Sequence, residues 1–160
     1  MNRRTFLGTF ATASASLSAA PATSIDWPQW RGAKRDGIST EKGLLKEWPS
    51  AGPKRLWQIN TLGEGYGSLA LVGDRIYVHG RKGNDSVVMA LAREGGATAW
   101  TAVIGPRLEQ DRGGGPRGTP TVDGEHIFAL NENGDLACLR TKDGKIVWKK
   151  NILQEYKGSN

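Results

Sequence analysis

Trp57, Trp100 and Trp148 close three copies of one strand pattern, spaced 43 and 48 residues apart. The copies align over much of their length. Gly67-Ser68-Leu69-Ala70-Leu71-Val72-Gly73-Asp74-Arg75-Ile76-Tyr77-Val78 lies against Gly118-Thr119-Pro120-Thr121-Val122-Asp123-Gly124-Glu125-His126-Ile127-Phe128-Ala129 at a constant offset of 51. Ala90-Leu91, Gly96 and Trp100 lie against Cys138-Leu139, Gly144 and Trp148 at an offset of 48. The three-residue difference falls between Arg81–Met89 and Glu132–Ala137, and length changes of this kind sit at loop tips. A period in this range, built from short apolar runs and glycine turns, is the signature of a propeller blade.

Each copy parses into four strands. The first gives Leu69–Val72, Arg75–His79, Val87–Ala92 and Ala97–Ile104, and the second gives Thr119–Val122, His126–Leu130, Leu136–Arg140 and Lys145–Asn151. The turns carry Gly73-Asp74, Gly95-Gly96, Asp123-Gly124, Asn133-Gly134 and Asp143-Gly144. Asn-Gly and Asp-Gly tolerate the positive φ that tight hairpins require. The chain is therefore expected to be all-β: a partial β-propeller with two complete four-stranded antiparallel blades, at about 66–104 and 117–151, plus one extra outer strand at Arg55–Asn60. Trp57 has the final Trp of the repeat but no three strands before it, so its strand is expected to complete the last blade of a closed ring. A large flat side chain in an outermost strand fills the wedge that opens between blades away from the axis. Trp100 and Trp148 are accordingly expected to be largely buried in a full-length protein.

Residues 1–22 read as a signal peptide. Arg3-Arg4-Thr5-Phe6-Leu7 precedes a weakly apolar stretch, and Ala20-Pro21-Ala22 fits a small-residue cleavage site. The paired arginines suit twin-arginine export, with an ordinary secretory signal as the alternative. Removal of Arg3 and Arg4 leaves a mature net charge of +4 with no dense basic block, so no nucleic acid partner is expected. No apolar run approaches the length of a transmembrane helix. Residues 23–54 form an irregular arm that Pro28, Pro49 and Pro53 keep from being a long helix. Trp27, Trp30 and Trp48 are expected to pack that arm onto the blades. Residues 55–160 would then be the first part of a propeller, with Asn160 standing where a third blade should begin. Expressed alone, residues 23–160 are expected to be marginally stable and to self-associate, because two blades leave a sheet face uncovered.

The blade ends resemble the pyrroloquinoline-quinone-like repeat, A-x-D-x-x-T-G-x-x-x-W. In Ala90-Leu91-Ala92-Arg93-Glu94-Gly95-Gly96-Ala97-Thr98-Ala99-Trp100 the Ala, Gly and Trp match; in Cys138-Leu139-Arg140-Thr141-Lys142-Asp143-Gly144-Lys145-Ile146-Val147-Trp148 only Gly and Trp do. The chain is also similar to an exported bacterial group in this superfamily through Asp26-Trp27-Pro28-Gln29-Trp30-Arg31-Gly32, Gly63-Glu64-Gly65-Tyr66 and Gly115-Pro116-Arg117-Gly118-Thr119-Pro120-Thr121. The resemblance implies about eight blades. It also implies relatives of two kinds: a propeller lipoprotein that helps assemble outer-membrane barrels, and quinoprotein alcohol dehydrogenases.

The chemistry-bearing residues are sparse. Cys138 is the sole cysteine, so neither an intrachain disulfide nor a cysteine-based zinc site can form. It stands at the position of Ala90 and reads as a small buried residue. His79 and His126 occupy non-equivalent repeat positions. Asp74, Asp85, Asp111, Asp123, Asp135 and Asp143 mostly occupy glycine-containing turns, where Asp suits the backbone. Glu64-Gly65-Tyr66-Gly67 leads into a strand and lacks the helix N-terminus that a phosphate-cradling loop needs. Gly105–Gly118, with Arg107, Arg112, Arg117 and Gly113-Gly114-Gly115, joins the outermost strand of one blade to the innermost of the next. It reads first as a flexible solvated connection. Arg117, close to the inner strand, is the candidate for an anionic cofactor or ligand at the axis. No catalytic residue and no metal ligand is assigned.

The leading functional reading is a non-catalytic, exported propeller, periplasmic or extracellular, that binds or assembles other envelope proteins or a small ligand at its axis. The alternative is the N-terminal part of a dehydrogenase dependent on pyrroloquinoline quinone (PQQ) and acting on alcohols or polyols. No cofactor site is demonstrable in this chain, and PQQ and calcium belong to that full-length reading. A carbohydrate-binding scaffold is a third reading.

Overall fold

A computed structural model describes residues 26–109, 111 and 113–159. The expected signal peptide and Arg112 lie outside the described residues.

Two four-stranded antiparallel sheets form, each in simple sequential order. Blade 1 consists of β1 (Ala70–Val72), β2 (Arg75–Lys82), β3 (Asp85–Ala92) and β4 (Thr98–Pro106). Blade 2 consists of β5 (Thr121–Asp123), β6 (His126–Leu130), β7 (Asp135–Arg140) and β8 (Ile146–Asn151). The length difference between the copies falls at the β2–β3 and β6–β7 tips. In blade 1 the strands run on to a two-residue tip at Gly83-Asn84. In blade 2 they stop earlier, and Asn131 Oδ1 closes the wider turn by accepting the backbone N–H groups of Asn133 and Asp135 at 3.0 and 2.8 Å. A register shift also recurs at one repeat position, between Ala90 and Leu91 and between Cys138 and Leu139. Such bulges increase local twist next to the outer strand.

Strand alternation sorts the core into two layers. Ala70, Tyr77, Val88, Ala90 and Ile104 of blade 1 meet Val122, Ile127, Ala129, Ala137 and Leu139 of blade 2. Ile76, Val87, Met89 and Leu91 point from the opposite face of blade 1 and are covered by Ile59 and Leu62 from the segment ahead of β1. Blade 1 is thus buried on both faces. The remaining face of blade 2 leaves Leu130 and Trp148 exposed.

The tryptophans join one blade to the next. A Cβ on Gly144 would run into the Trp100 ring, and Trp100 Nε1 donates to the Thr141 carbonyl at 3.0 Å. Trp57 does the same one unit earlier: its ring and Ile59 lie against Gly96, where a Cβ would come within 2.8 Å. Both glycines have φ near +70°, so Gly is required for backbone and for space.

Two expectations need correction. Arg55–Asn60 carries no strand ladder among the described residues, where no further blade offers it a strand to pair with; Trp57 and Ile59 pack against Gly96. Trp148, expected to be largely buried in a full-length protein, is 40% exposed in this chain, where nothing among the described residues lies over it as Gly144 lies over Trp100. In the arm only Trp27 docks, whereas Trp30 and Trp48 are 61% and 67% exposed. Trp27 exchanges two backbone hydrogen bonds with Leu71 of β1, at 2.7 and 2.9 Å, and the Pro28 carbonyl accepts from Val122 of β5 at 2.8 Å. The arm therefore stitches the inner strands of both blades through its backbone. A short helix, α1 (Ile152–Glu155), follows β8 and is capped by the Asn151 side chain.

Candidate functional site

The end of the sheets that holds the β2–β3 and β6–β7 tips also holds both connectors into the inner strands, 61–69 and 107–120. The connectors run side by side. Tyr66 N donates to the Pro116 carbonyl at 2.9 Å, and Ser68 N donates to Thr119 Oγ1 at 3.0 Å. Glu64 and Arg81 exchange two backbone hydrogen bonds at 2.7 and 3.1 Å, which fasten the first connector to β2.

Tyr66 and Arg117 occupy the same repeat position, 51 residues apart. The Arg117 guanidinium stands 5.2 Å from the Tyr66 ring centroid, within reach of a cation–π contact. Both side chains are exposed. Arg117, the candidate read from the sequence, is therefore placed against the aromatic that precedes the neighbouring inner strand.

Beside this pair lies an ion network that the sequence did not reveal. The Arg81 side chain is 16% exposed and pairs with Glu64 at 3.0 Å and Glu109 at 3.7 Å, while Glu109 also pairs with Arg107. Arg107 is fixed by its backbone N–H, which donates to the Asn84 carbonyl at 3.0 Å. A cleft of about 590 Å³ opens here, lined by Thr61, Glu64, Arg81, Lys82 and Arg107.

The glycine run is not a flexible linker in its role. A Cβ on Gly113 would strike the Tyr66 hydroxyl, one on Gly114 the Arg81 guanidinium, and one on Gly115 the Glu64 backbone. These glycines let the second connector lie flat against the first. A comparison of the two connectors at offset 51 is the sequence signal that pairs Tyr66 with Arg117; nothing local marks Glu64, Arg81 and Glu109 as a set.

The remaining candidates do not converge. Asp74 pairs with Arg75 at 3.6 Å, and Asp143 pairs with Arg140 in a turn. The Arg140 hydrogen bond and the Lys145 backbone N–H hold the Asp143 carboxyl below its usual range. Asp135 is buried and accepts from Asn131 and Asn151 at 3.0 and 3.2 Å, a structural network that also ties Asn131 and Asn133 to the Pro106 carbonyl. Asp85 and Asp123 sit at strand ends and Asp111 is exposed on the connector. No group of three or more His, Cys, Asp or Glu side chains suited to a metal forms among the described residues.

Cys138 is buried, and burial pushes its thiol pKa up, which disfavours the reactive thiolate. His126 is exposed. His79 is 2% exposed, with Nε2 2.9 Å from Ser86 Oγ and Nδ1 buried without a partner. Burial lowers its pKa to about 4. No helix among the described residues is long and apolar enough to cross a membrane.

Residues 37–160 match the PQQ_2 family, described as outer membrane protein assembly factor BamB. Among solved structures, the quinohemoprotein alcohol dehydrogenase of Comamonas testosteroni superposes with a TM-score of 0.56 and 20% identity, covering 83% of this chain and 20% of that one. A europium-containing methanol dehydrogenase gives 0.43 at 23% identity, covering 57% and 16% of the two chains. BamB from Moraxella catarrhalis gives 0.40 at 18%, covering 62% and 28%. The chain thus spans under a third of each structure's length, and the first of these likenesses supports the fold alone. No curated protein matches the sequence.

Proposed function

This chain belongs to the PQQ_2 family, and on that premise we propose that it forms part of an exported propeller that works as a non-catalytic binding or assembly scaffold, with the connector face as its recognition surface. The observation that carries this reading is the exposed Tyr66–Arg117 pair, placed at one repeat position in adjacent blades. An aromatic plane with a guanidinium beside it, on connectors held rigid by backbone hydrogen bonds, is a composition that protein interfaces favour. Relatives named as an assembly factor make envelope proteins the fitting partners, in a periplasmic or extracellular setting.

The alternative is a PQQ-dependent dehydrogenase of alcohols or polyols. PQQ bears carboxylates and a flat ring system, and Arg117 and Tyr66 offer one cation and one aromatic plane, a partial match. The described residues offer no carboxylate set for calcium, so no step is derived through the metal. In that reading Arg117 holds an anionic group of the cofactor.

One experiment separates the two. The full-length protein is incubated with PQQ and calcium and assayed for dye-linked oxidation of alcohols and polyols. In parallel, photo-crosslinking residues are placed at positions 66 and 117, with position 74 at the opposite sheet end as control. The scaffold reading expects no turnover and an envelope protein captured from 66 and 117 alone. Quinone-dependent turnover overturns it.

A further inference from the structure

We propose that Arg81 and Arg107 form a clamp for a small dicarboxylate, held closed in this structure by the chain's own Glu109. The inference concerns a different set of side chains from the Tyr66–Arg117 pair and does not depend on the scaffold reading.

Two guanidiniums from separate elements, one on β2 and one just past β4, converge on a single carboxylate. Planar guanidinium forks suit carboxylate geometry, so this arrangement is a carboxylate receptor already displaying its ligand type. Its parts are fixed. The Arg81 guanidinium lies against the bare backbone of Gly114, and Glu64 holds it from the other side at 3.0 Å. Arg107 is tied through its backbone to the β2–β3 tip.

The seated carboxylate is the exposed member. The Glu109 side chain is 68% exposed, whereas those of Arg81 and Arg107 are 16% and 31% exposed. Ion pairs to an exposed acid contribute little, so an external acid competes with Glu109 at low cost. The cleft walls carry three cations, Arg81, Lys82 and Arg107, and one carboxylate, Glu64. With Glu109 withdrawn this leaves an excess of two positive charges, which a dianion neutralises. One carboxylate would take the place of Glu109, and the second would face Lys82. A volume of about 590 Å³ holds a small dicarboxylate with room for water.

The test is calorimetric titration of sodium malonate into the full chain at constant ionic strength, with sodium chloride as the control anion. Wild type is expected to bind weakly. Glu109→Gln removes the internal competitor and is expected to tighten binding about tenfold, and Arg107→Gln added to it is expected to abolish the gain. Arg107→Lys keeps the charge but loses the fork, and is expected to fall between them, which keeps the test informative should Arg107→Gln fold poorly. Equal affinity of wild type and Glu109→Gln overturns the proposal. So does tight binding that survives Arg107→Lys unchanged, or chloride that competes as well as malonate.

Discussion

Blade 1 and blade 2 share one strand pattern but not one environment. Tyr77 and Trp100 in blade 1 and Phe128 and Trp148 in blade 2 make the same tilted ring contact, with centroids 6.1 Å apart in both. Under the first pair lies the Gly144 turn of the next blade; over the second lies nothing among the described residues. The contrast shows that a blade supplies the aromatic pair and its neighbour supplies the burial. In this architecture stability resides at the junctions as much as within the units.

The largest expected effect tests that statement directly. In this chain Trp100→Ala should lose about 3–5 kcal/mol, the usual cost of removing a large core ring, while Trp148→Ala should lose under about 1 kcal/mol. Equilibrium denaturation of both variants is the measurement. Equal losses would show that the neighbour's turn contributes nothing and break the comparison.

Next comes a pH effect confined to blade 1, since the position equivalent to His79 is Leu130. Burial keeps His79 neutral in the fold down to about pH 4, whereas the unfolded chain takes up a proton near pH 6.5. The unfolded state therefore binds more protons between these values, and stability falls as pH drops from 6.5 to 4, then levels off. The full loss is about 3 kcal/mol, from roughly 1.4 kcal/mol for each pH unit. Urea melts across pH 4–7 should show this slope, and His79→Leu should flatten it.

Glycine substitutions sharpen the comparison at smaller scale. Gly144→Ala places a methyl group into the Trp100 ring at a φ of +70°, and should cost about 2–3 kcal/mol from left-handed strain plus the clash. Gly124→Ala has φ +54° with open space around it, and should cost about 1 kcal/mol from strain alone. Thermal melts of the pair separate the two terms. The smallest effect is expected at Asp143→Asn. It breaks the solvent-screened pair with Arg140 and should leave the melting temperature essentially unchanged, read from the same melts.

Strands, hairpin turns and the blade junction residues were legible because their signals are local: alternation of period two, Asn-Gly and Asp-Gly pairs, and a Trp at a fixed distance after a Gly. Ala90 and Cys138 were legible as one buried position for the same reason. The Arg55–Asn60 expectation failed because alternation says which residues are apolar, not whether another strand lies within hydrogen-bonding distance. Trp27 and Trp30 look alike in sequence, yet the backbone of Trp27 pairs with Leu71 while Trp30 stands in solvent with Arg31 over its ring. The Gly113-Gly114-Gly115 run was ambiguous in principle, since glycine signals freedom or close approach with the same letter. The Arg81–Glu109–Arg107 network joins residues 26 and 28 positions apart, a distance no local pattern reports.

The stacking of each tryptophan on the following unit's glycine turn has a direction in time as well as in space. During synthesis Trp57 must wait for Gly96, and Trp100 for Gly144, before either ring is shielded. At elongation rates of about 5–20 residues per second, the interval of roughly 40 residues lasts about two to eight seconds. For that interval the nascent chain ends in a sticky, half-finished wall. Every newly made blade is at once the lid of the previous one and a client still awaiting its own.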